Sequence, residues 1–176
     1  MKITNVAPTD IDTLIELLNA GTQYQKAVGG KEWQGFDKSL IETDIREKRA
    51  WKIVEDNTIV CIFAITFNDP HIWQEKDSTD AIYIHRIAVH PAYHGKGYVK
   101  NIAAWAKEYA GSLNKTLVRM DTTAGNDKLN QYYVSCGFNH LGSVPVAANK
   151  ELPAHYAGGF SSLFEMEVGS SQASIG

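Results

Sequence analysis

The residues with the clearest chemical potential lie in one run: Ile84-His85-Arg86-Ile87-Ala88-Val89-His90-Pro91-Ala92-Tyr93-His94-Gly95-Lys96-Gly97-Tyr98-Val99. An apolar strand ends at Pro91, which cannot continue it. Gly95 and Gly97 stand just ahead of Val99, Ile102, Ala103, Ala106 and Ala110, which repeat at helical spacing. The unpaired amides of a helix start, together with the helix dipole, favour a bound anion. Glycines there let backbone approach a phosphate with no β-carbon between them. Lys96 and Lys100 add positive charge at the rim. The same spacing also suits a plain tight connection from strand to helix, so the run by itself leaves both readings open. Two phosphate motifs are excluded. No Ser or Thr follows Lys96 as a P-loop requires, and Val99 stands where a dinucleotide fingerprint has its third glycine.

Other chemistries find little support. Cys61 and Cys136 are far apart and lie in apolar runs. They are too few for a disulfide scaffold or a zinc site and read as inert buried thiols, so no metal is expected. A formal net charge of -3 gives no basic excess for a nucleic-acid partner. The first residues lack the apolar core of a signal peptide, and no stretch has the length of a membrane span. A cytoplasmic protein with no membrane partner is expected.

The elements that must position these residues follow from patterning. The chain has 176 residues, of which 44% are hydrophobic and 21% charged. That suits one domain over residues 1–168, with 169–176 a small, polar, mobile tail. Lys2 to Val6 alternates as a strand. Ile11, Leu14, Ile15 and Leu18 mark a first helix after an acidic turn, Gly29-Gly30 breaks the chain, and Ser39 with Glu42 resembles a capping box for a second. Strands are expected at Trp51 to Glu55, Ile59 to Phe67 and Ala81 to Val89, with Asp56-Asn57 as a hairpin turn. Asn68 to Asp80 reads as a loop. A helix follows the glycines, then a strand at Thr116 to Asp121. Leu129, Tyr132, Tyr133 and Cys136 mark a last helix ended by Gly137. Strands near Leu141 to Val146 and Ser162 to Val168 complete an α/β (α+β) domain.

The run from Ile84 to Val99 resembles the acetyl-CoA motif of GNAT acetyltransferases, Arg/Gln-x-x-Gly-x-Gly/Ala after an apolar strand. Gly97 takes the central glycine and Gly95 the one common before it. His94 replaces the usual Arg or Gln, and Val99 replaces the final small residue. A second match lies downstream, in register: Asn126 at the start of the helix after the next strand, then Tyr133, then Gly137-Phe138. The resemblance covers Ile59 to Phe138 and implies a single GNAT-like domain, a mixed sheet of about seven strands flanked by about four helices.

The resemblance further implies that acetyl-CoA is the acyl donor and that a primary amine attacks its thioester directly in a ternary complex. Backbone from Gly95 through Lys96, Gly97 and Tyr98 to Val99 would hold the pyrophosphate, with His94 and Lys100 at its margin. Ile87, Ala88 and Val89 would pair with the pantetheine arm and offer an amide to the carbonyl oxygen, and Asn126 would bond the pantetheine or the arm next to the phosphate. Tyr133 would protonate the leaving thiolate, since a phenol stays protonated at neutral pH. His85 is the candidate base, an ordinary core or surface histidine being the alternative reading, and Tyr83, Arg86, His90 or ordered water are further routes for the proton. Strict alternation groups Ala81, Tyr83, His85, Ile87 and Val89 on one face, and a bulge would change that grouping. Trp33, Phe36, Trp73 and Tyr156 would surround the acceptor, with Glu32, Glu75 and Asp77 available to a cationic amine. The acceptor, small molecule or peptide, is not specified, and the resemblance is compatible with a homodimer. A non-catalytic acyl-CoA-binding module on the same fold is the alternative.

Overall fold

A computed structural model describes residues 1–27, 37–146 and 159–169. Seven strands form one sheet: β1 (Lys2–Asn5), β2 (Ala50–Glu55), β3 (Thr58–Thr66), β4 (Ala81–Val89), β5 (Leu117–Thr123), β6 (Asn139–Pro145) and β7 (Phe160–Glu167). Their spatial order is β1-β2-β3-β4-β5-β7-β6. All neighbours are antiparallel except β4 and β5, which run parallel. A parallel pair requires a crossover. Here that crossover is the glycine loop and helix α4 (Tyr98–Ser112).

Helices cover both faces. On one side, Ile102, Ala103, Ala106 and Ala110 of α4 meet Ile82 and Ile84 of β4, Val118 of β5 and Phe164 of β7. Cys136 and Phe138, at the end of α5 (Asp127–Ser135), close the same core. On the other side, Leu14, Leu17 and Leu18 of α1 (Ile11–Ala27) and Ile41 and Ile45 of α2 (Lys38–Arg46) cover Ala50, Ile62 and Ala88. Both cysteines are buried and free, and burial pushes the Cys61 thiol up to about 12, which keeps it protonated and inert.

Several local expectations shift. Asp56 and Asn57 do form the two-residue β2–β3 turn, both at positive φ (47° and 62°), the conformation of a type I′ hairpin without its usual glycine. The capping box at Ser39 and Glu42 is not formed. Asp37 is the N-cap of α2, accepting from the Leu40 amide at 2.8 Å, and Ser39 donates its hydroxyl to that carboxylate. Residues 68–80 are not all loop: α3 (Pro70–Trp73) and a 3₁₀ turn lie within them, with Ile72 and Trp73 buried against Ala81, Tyr83 and Leu163. Trp73 is therefore core. Arg119 stacks over its ring at 4.3 Å, and it does not face an acceptor. Glu32, Trp33, Phe36, Tyr156, the Gly29-Gly30 break and the tail from 170 lie outside the described residues.

Candidate active site

The site begins where the sheet divides. β4 pairs with β5 from Ala81–Leu117 to Ile84–Met120 and then stops, although β4 runs on to Val89 and β5 to Thr123. β5 stays paired with β7 to Thr123 and β4 stays paired with β3 to Val89, so the two strands part at that point. The cleft at the fork has a volume of about 1290 Å³. Pockets for single small ligands run to about 300–1,000 Å³, so this one has room for two reactants.

A bulge shapes the β4 side. Ala64 faces His85, but Ile62 faces Ala88, so Phe63 opposes two residues of β4. Arg86 takes up the extra residue at φ 52°. Strict alternation therefore fails after His85. Ala81, Tyr83, His85 and Ala88 share the α1/α2/α3 side of the sheet, whereas Ile87 and Val89 turn to the α4 side. The Arg86 guanidinium bonds the carboxylate of Asp44, which is buried in α2 and also paired with Arg49 at 3.1 Å.

The glycine loop forms the near end of the cleft. Gly95 and Gly97 sit at φ 80° and 74°, where side chains are strained, and a β-carbon on either would point into open space. What these glycines keep clear is the approach to the first-turn amides of α4, of which Lys100 already bonds the Gly97 carbonyl at 3.1 Å. Their conformation and the open space suit a pyrophosphate. His94 donates from Nε2 to the Val89 carbonyl (3.1 Å) and meets the Tyr24 ring edge-on at 4.5 Å, so it ties the loop to its strand and to α1. Lys96 lies over the Tyr93 ring. The Tyr98 ring is buried and its hydroxyl donates to Glu55, which leaves only its backbone at the loop. Val99, 8% exposed, packs into the main core, so its bulk is directed away from the loop. Lys100 is exposed on α4 and is not part of the cleft lining.

The far wall carries Asn126 and Tyr133. Asn126 is the N-cap of α5, its side-chain oxygen accepting from the Leu129 amide (3.0 Å), which leaves the side-chain NH₂ as its donor. The helix ends in a Schellman motif. Phe138 donates to the Tyr133 carbonyl and Gly137 to the Val134 carbonyl, with Gly137 at φ 108°. That turn holds Tyr133 against Phe164, ring centroids 5.1 Å apart. Its hydroxyl makes no hydrogen bond among the described residues. Burial, then Tyr132, Cys136 and Asp121, pushes the phenol well above its ordinary value, so it is fully protonated at neutral pH.

His85 also lines the cleft. Thr66 gives its one hydroxyl hydrogen to the Asn68 carbonyl, so at 3.0 Å it accepts from His85 Nε2. Nε2 thus bears the proton. Burial, and then Arg86, lowers His85 to about 3, leaving the ring neutral. Sequence reasoning missed two residues at the fork. Asp69 and Asp121 each offer an oxygen that lies, with a His85 nitrogen, in a group whose atoms are all within 4.8 Å of one another. An aspartate in the apolar β5 and another before Pro70 were the available signals. The cleft wall from α1 (Gly21, Tyr24, Gln25) was missed as well. No helix among the described residues is long and apolar enough to cross a membrane.

Residues 15–138, more than half of the chain, match the model of the acetyltransferase (GNAT) family. Among curated proteins the chain is similar to the uncharacterized N-acetyltransferase YesJ of Bacillus subtilis, 22% identical over 142 residues, covering 76% of this chain and 79% of that one. In fold it is similar to a GNAT-family acetyltransferase from Listeria monocytogenes (TM-score 0.72, 24% identity, 94% of both chains). It is also similar to yncA of Salmonella typhimurium, solved with its cofactor acetyl-CoA (TM-score 0.64, 14% identity, 98% of this chain and 96% of that one).

Proposed function

The chain belongs to the acetyltransferase (GNAT) family as an acetyl-CoA-dependent N-acetyltransferase, and from that premise we propose that it acetylates a primary amine by direct attack in a ternary complex. The observation that carries this reading is the fork itself. One cleft joins an open anion loop, an unpaired strand edge, a buried protonated phenol and a cluster of proton-accepting groups. The amides from Gly95 to Val99 would bind the pyrophosphate. The edge at Ile87, Ala88 and Val89, freed from β5, would pair with the pantetheine arm and direct an amide at the thioester oxygen, a donor already oriented before charge develops. Asn126 would add its NH₂. Tyr133 would protonate the sulfur as it leaves.

The test is an acceptor screen over alkylamines, amino acids, aminoglycosides and peptide amines, with CoA release as the readout. Turnover of at least one amine, with saturable acetyl-CoA binding, is the expected result. Binding without turnover of any acceptor would instead favour the non-catalytic acyl-CoA module. Failure to bind acetyl-CoA or CoA at all would remove the assignment of the loop. A narrower check uses Gly97→Val. A branched side chain at φ 74° costs about 1–2 kcal/mol of folding stability and fills the approach to the α4 amides. Acetyl-CoA affinity by calorimetry should then fall at least about 30-fold, equivalent to about 2 kcal/mol. Unchanged affinity would show that the loop does not touch the donor.

A further inference from the structure

We propose that Asp69 is the group that accepts the proton of the incoming amine, in a seat it forms with His85 and Asp121, and that this seat selects acceptors presented as primary alkylammonium ions. The inference rests on the acetyl-transfer reading and adds to it the base and the acceptor class.

Asp69 lies between β3 and α3, His85 just before the bulge in β4, and Asp121 on β5 one residue past the last β4–β5 pair. The three therefore meet where the strands part, beside the thioester position implied by the loop and the β4 edge. The Asp69 side chain is nine-tenths buried, and its Oδ2 has no hydrogen-bond partner among the described residues. His85 Nε2 stands 3.7 Å from that oxygen, too far for a hydrogen bond. A buried carboxylate oxygen left without a donor is costly unless a ligand supplies one. His85 cannot accept a proton on the side it turns to Thr66, because Nε2 already carries one. Asp69 Oδ2, buried and without a donor of its own, therefore presents an unused lone pair at the fork.

Electrostatics agree with the geometry. Burial, then the neighbouring Asp121, with Asp77 adding to it, raises Asp69 to about 8, against a smaller lowering by the Ile72 amide. The charged or titratable groups around it are Asp121 of β5, Asp77 after α3, His85 and Arg86 of β4, His71 of α3 and Tyr133 of α5. Asp77 also accepts from the Asp69 amide at 2.9 Å. Two carboxylates held together favour a cation between them, and a base tuned close to the working pH transfers protons most effectively.

Ionised Asp69 takes one proton from the ammonium, and the nitrogen lone pair attacks the thioester carbon. The C–N bond forms and the C–S bond breaks, with the electron pair leaving on sulfur. Tyr133 gives the sulfur its proton and regains one from the nitrogen's second hydrogen through solvent, while Asp69 releases its own to water. Ammonium and acetyl-CoA become amide, CoA thiol and one free proton.

The experiment compares wild type with Asp69→Asn, using n-butylamine as an alkylammonium and aniline as an amine already neutral at pH 7. In Asp69→Asn, kcat/KM for butylamine should fall by about 10²–10⁴-fold, and the limb of its pH profile that rises near pH 8 in wild type should disappear. Acetyl-CoA affinity should be unchanged, and any aniline turnover should fall by less than 10-fold. A retained rising limb, or equal losses on both amines, would overturn the proposal. Activity that depends on added Zn²⁺ or Mn²⁺ and is lost with EDTA would assign the seat to a metal ion and overturn it too. Wild type that binds acetyl-CoA but acetylates no amine overturns both this inference and the reading beneath it, whereas the two preceding outcomes leave that reading intact.

A stability measurement stands apart from turnover. A carboxyl raised on folding adds stability that is fully present below its unfolded value and is lost as pH rises through its folded one. Asp69→Asn should therefore melt progressively higher than wild type as pH rises from about 4 towards about 8. A pH-independent difference would show that the seat does not hold the carboxyl protonated.

Discussion

Tyr133→Phe should lower kcat by about 10²–10⁴-fold while acetyl-CoA affinity and the melting temperature stay close to wild type. The ring is already held by packing on Phe164 and by the Schellman turn at Gly137-Phe138, and the hydroxyl makes no hydrogen bond among the described residues. Losing one oxygen therefore removes chemistry without removing structure. Burial keeps the phenol protonated at neutral pH, so it can serve as an acid there. An amine attacking a thioester expels a thiolate. Without a nearby donor the sulfur must leave as an unprotonated thiolate, a poorer leaving group than the thiol. The expected signature is a fall in kcat with KM for acetyl-CoA little changed, which marks an interaction made only in the transition state. If kcat falls less than about 3-fold, a factor too small for general-acid catalysis, Tyr133 belongs only to the packing of α5.

Asp44→Ala should destabilise the fold by about 3–5 kcal/mol, which for a chain of this size is about 6–20 °C in melting temperature. Asp44 is buried in α2, and the guanidinium groups of Arg49 and Arg86 converge on its carboxylate. Removing it takes the buried carboxylate from both guanidinium groups, with Arg49 keeping only the exposed Glu47 at 3.0 Å as an ion-pair partner among the described residues. The effect should extend to catalysis. Arg86 is the bulge residue at φ 52°, and its bulge sets which way His85 and Ile87 face. Catalytic geometry tolerates little displacement, so kcat/KM should drop even at temperatures where the variant is folded. Arg49→Ala leaves the Asp44–Arg86 pair in place. It removes the more exposed partner and should cost about 1 kcal/mol or less. Similar melting temperatures for the two variants would show that the Asp44–Arg86 contact does not brace the bulge.

Much of this protein is legible in its sequence, for a consistent reason. The glycine loop, the Asn126 cap and the Gly137 stop each meet a demand set by residues within a few positions: a positive φ, a helix amide, an unpaired carbonyl. Such demands leave a local trace. The apolar stripe of α4 and the runs of β3 and β4 likewise announce their own burial. The Asn68 to Asp80 stretch was harder, because a four-residue helix leaves no periodicity and Trp73 is buried by contacts distant in sequence. The capping box failed because Asp37, two residues before Ser39, caps α2 instead.

What residue order alone settled was the sheet-and-helix domain and its family. The tertiary structure decided how the site closes around the glycine loop. The β4–β5 pairing ends at Ile84 and Met120 and opens the fork, the bulge at Arg86 puts His85 on a different side from Ile87, and the fork brings Asp69 and Asp121 to His85. Each of these depends on strand register and splay, which arise from contacts between segments far apart in the chain. No single segment carries their imprint. In the same way His94 and Val99, the two departures in the loop, have partners elsewhere in the fold: His94 ties the loop to Val89 and Tyr24, and Val99 fills the core beneath it.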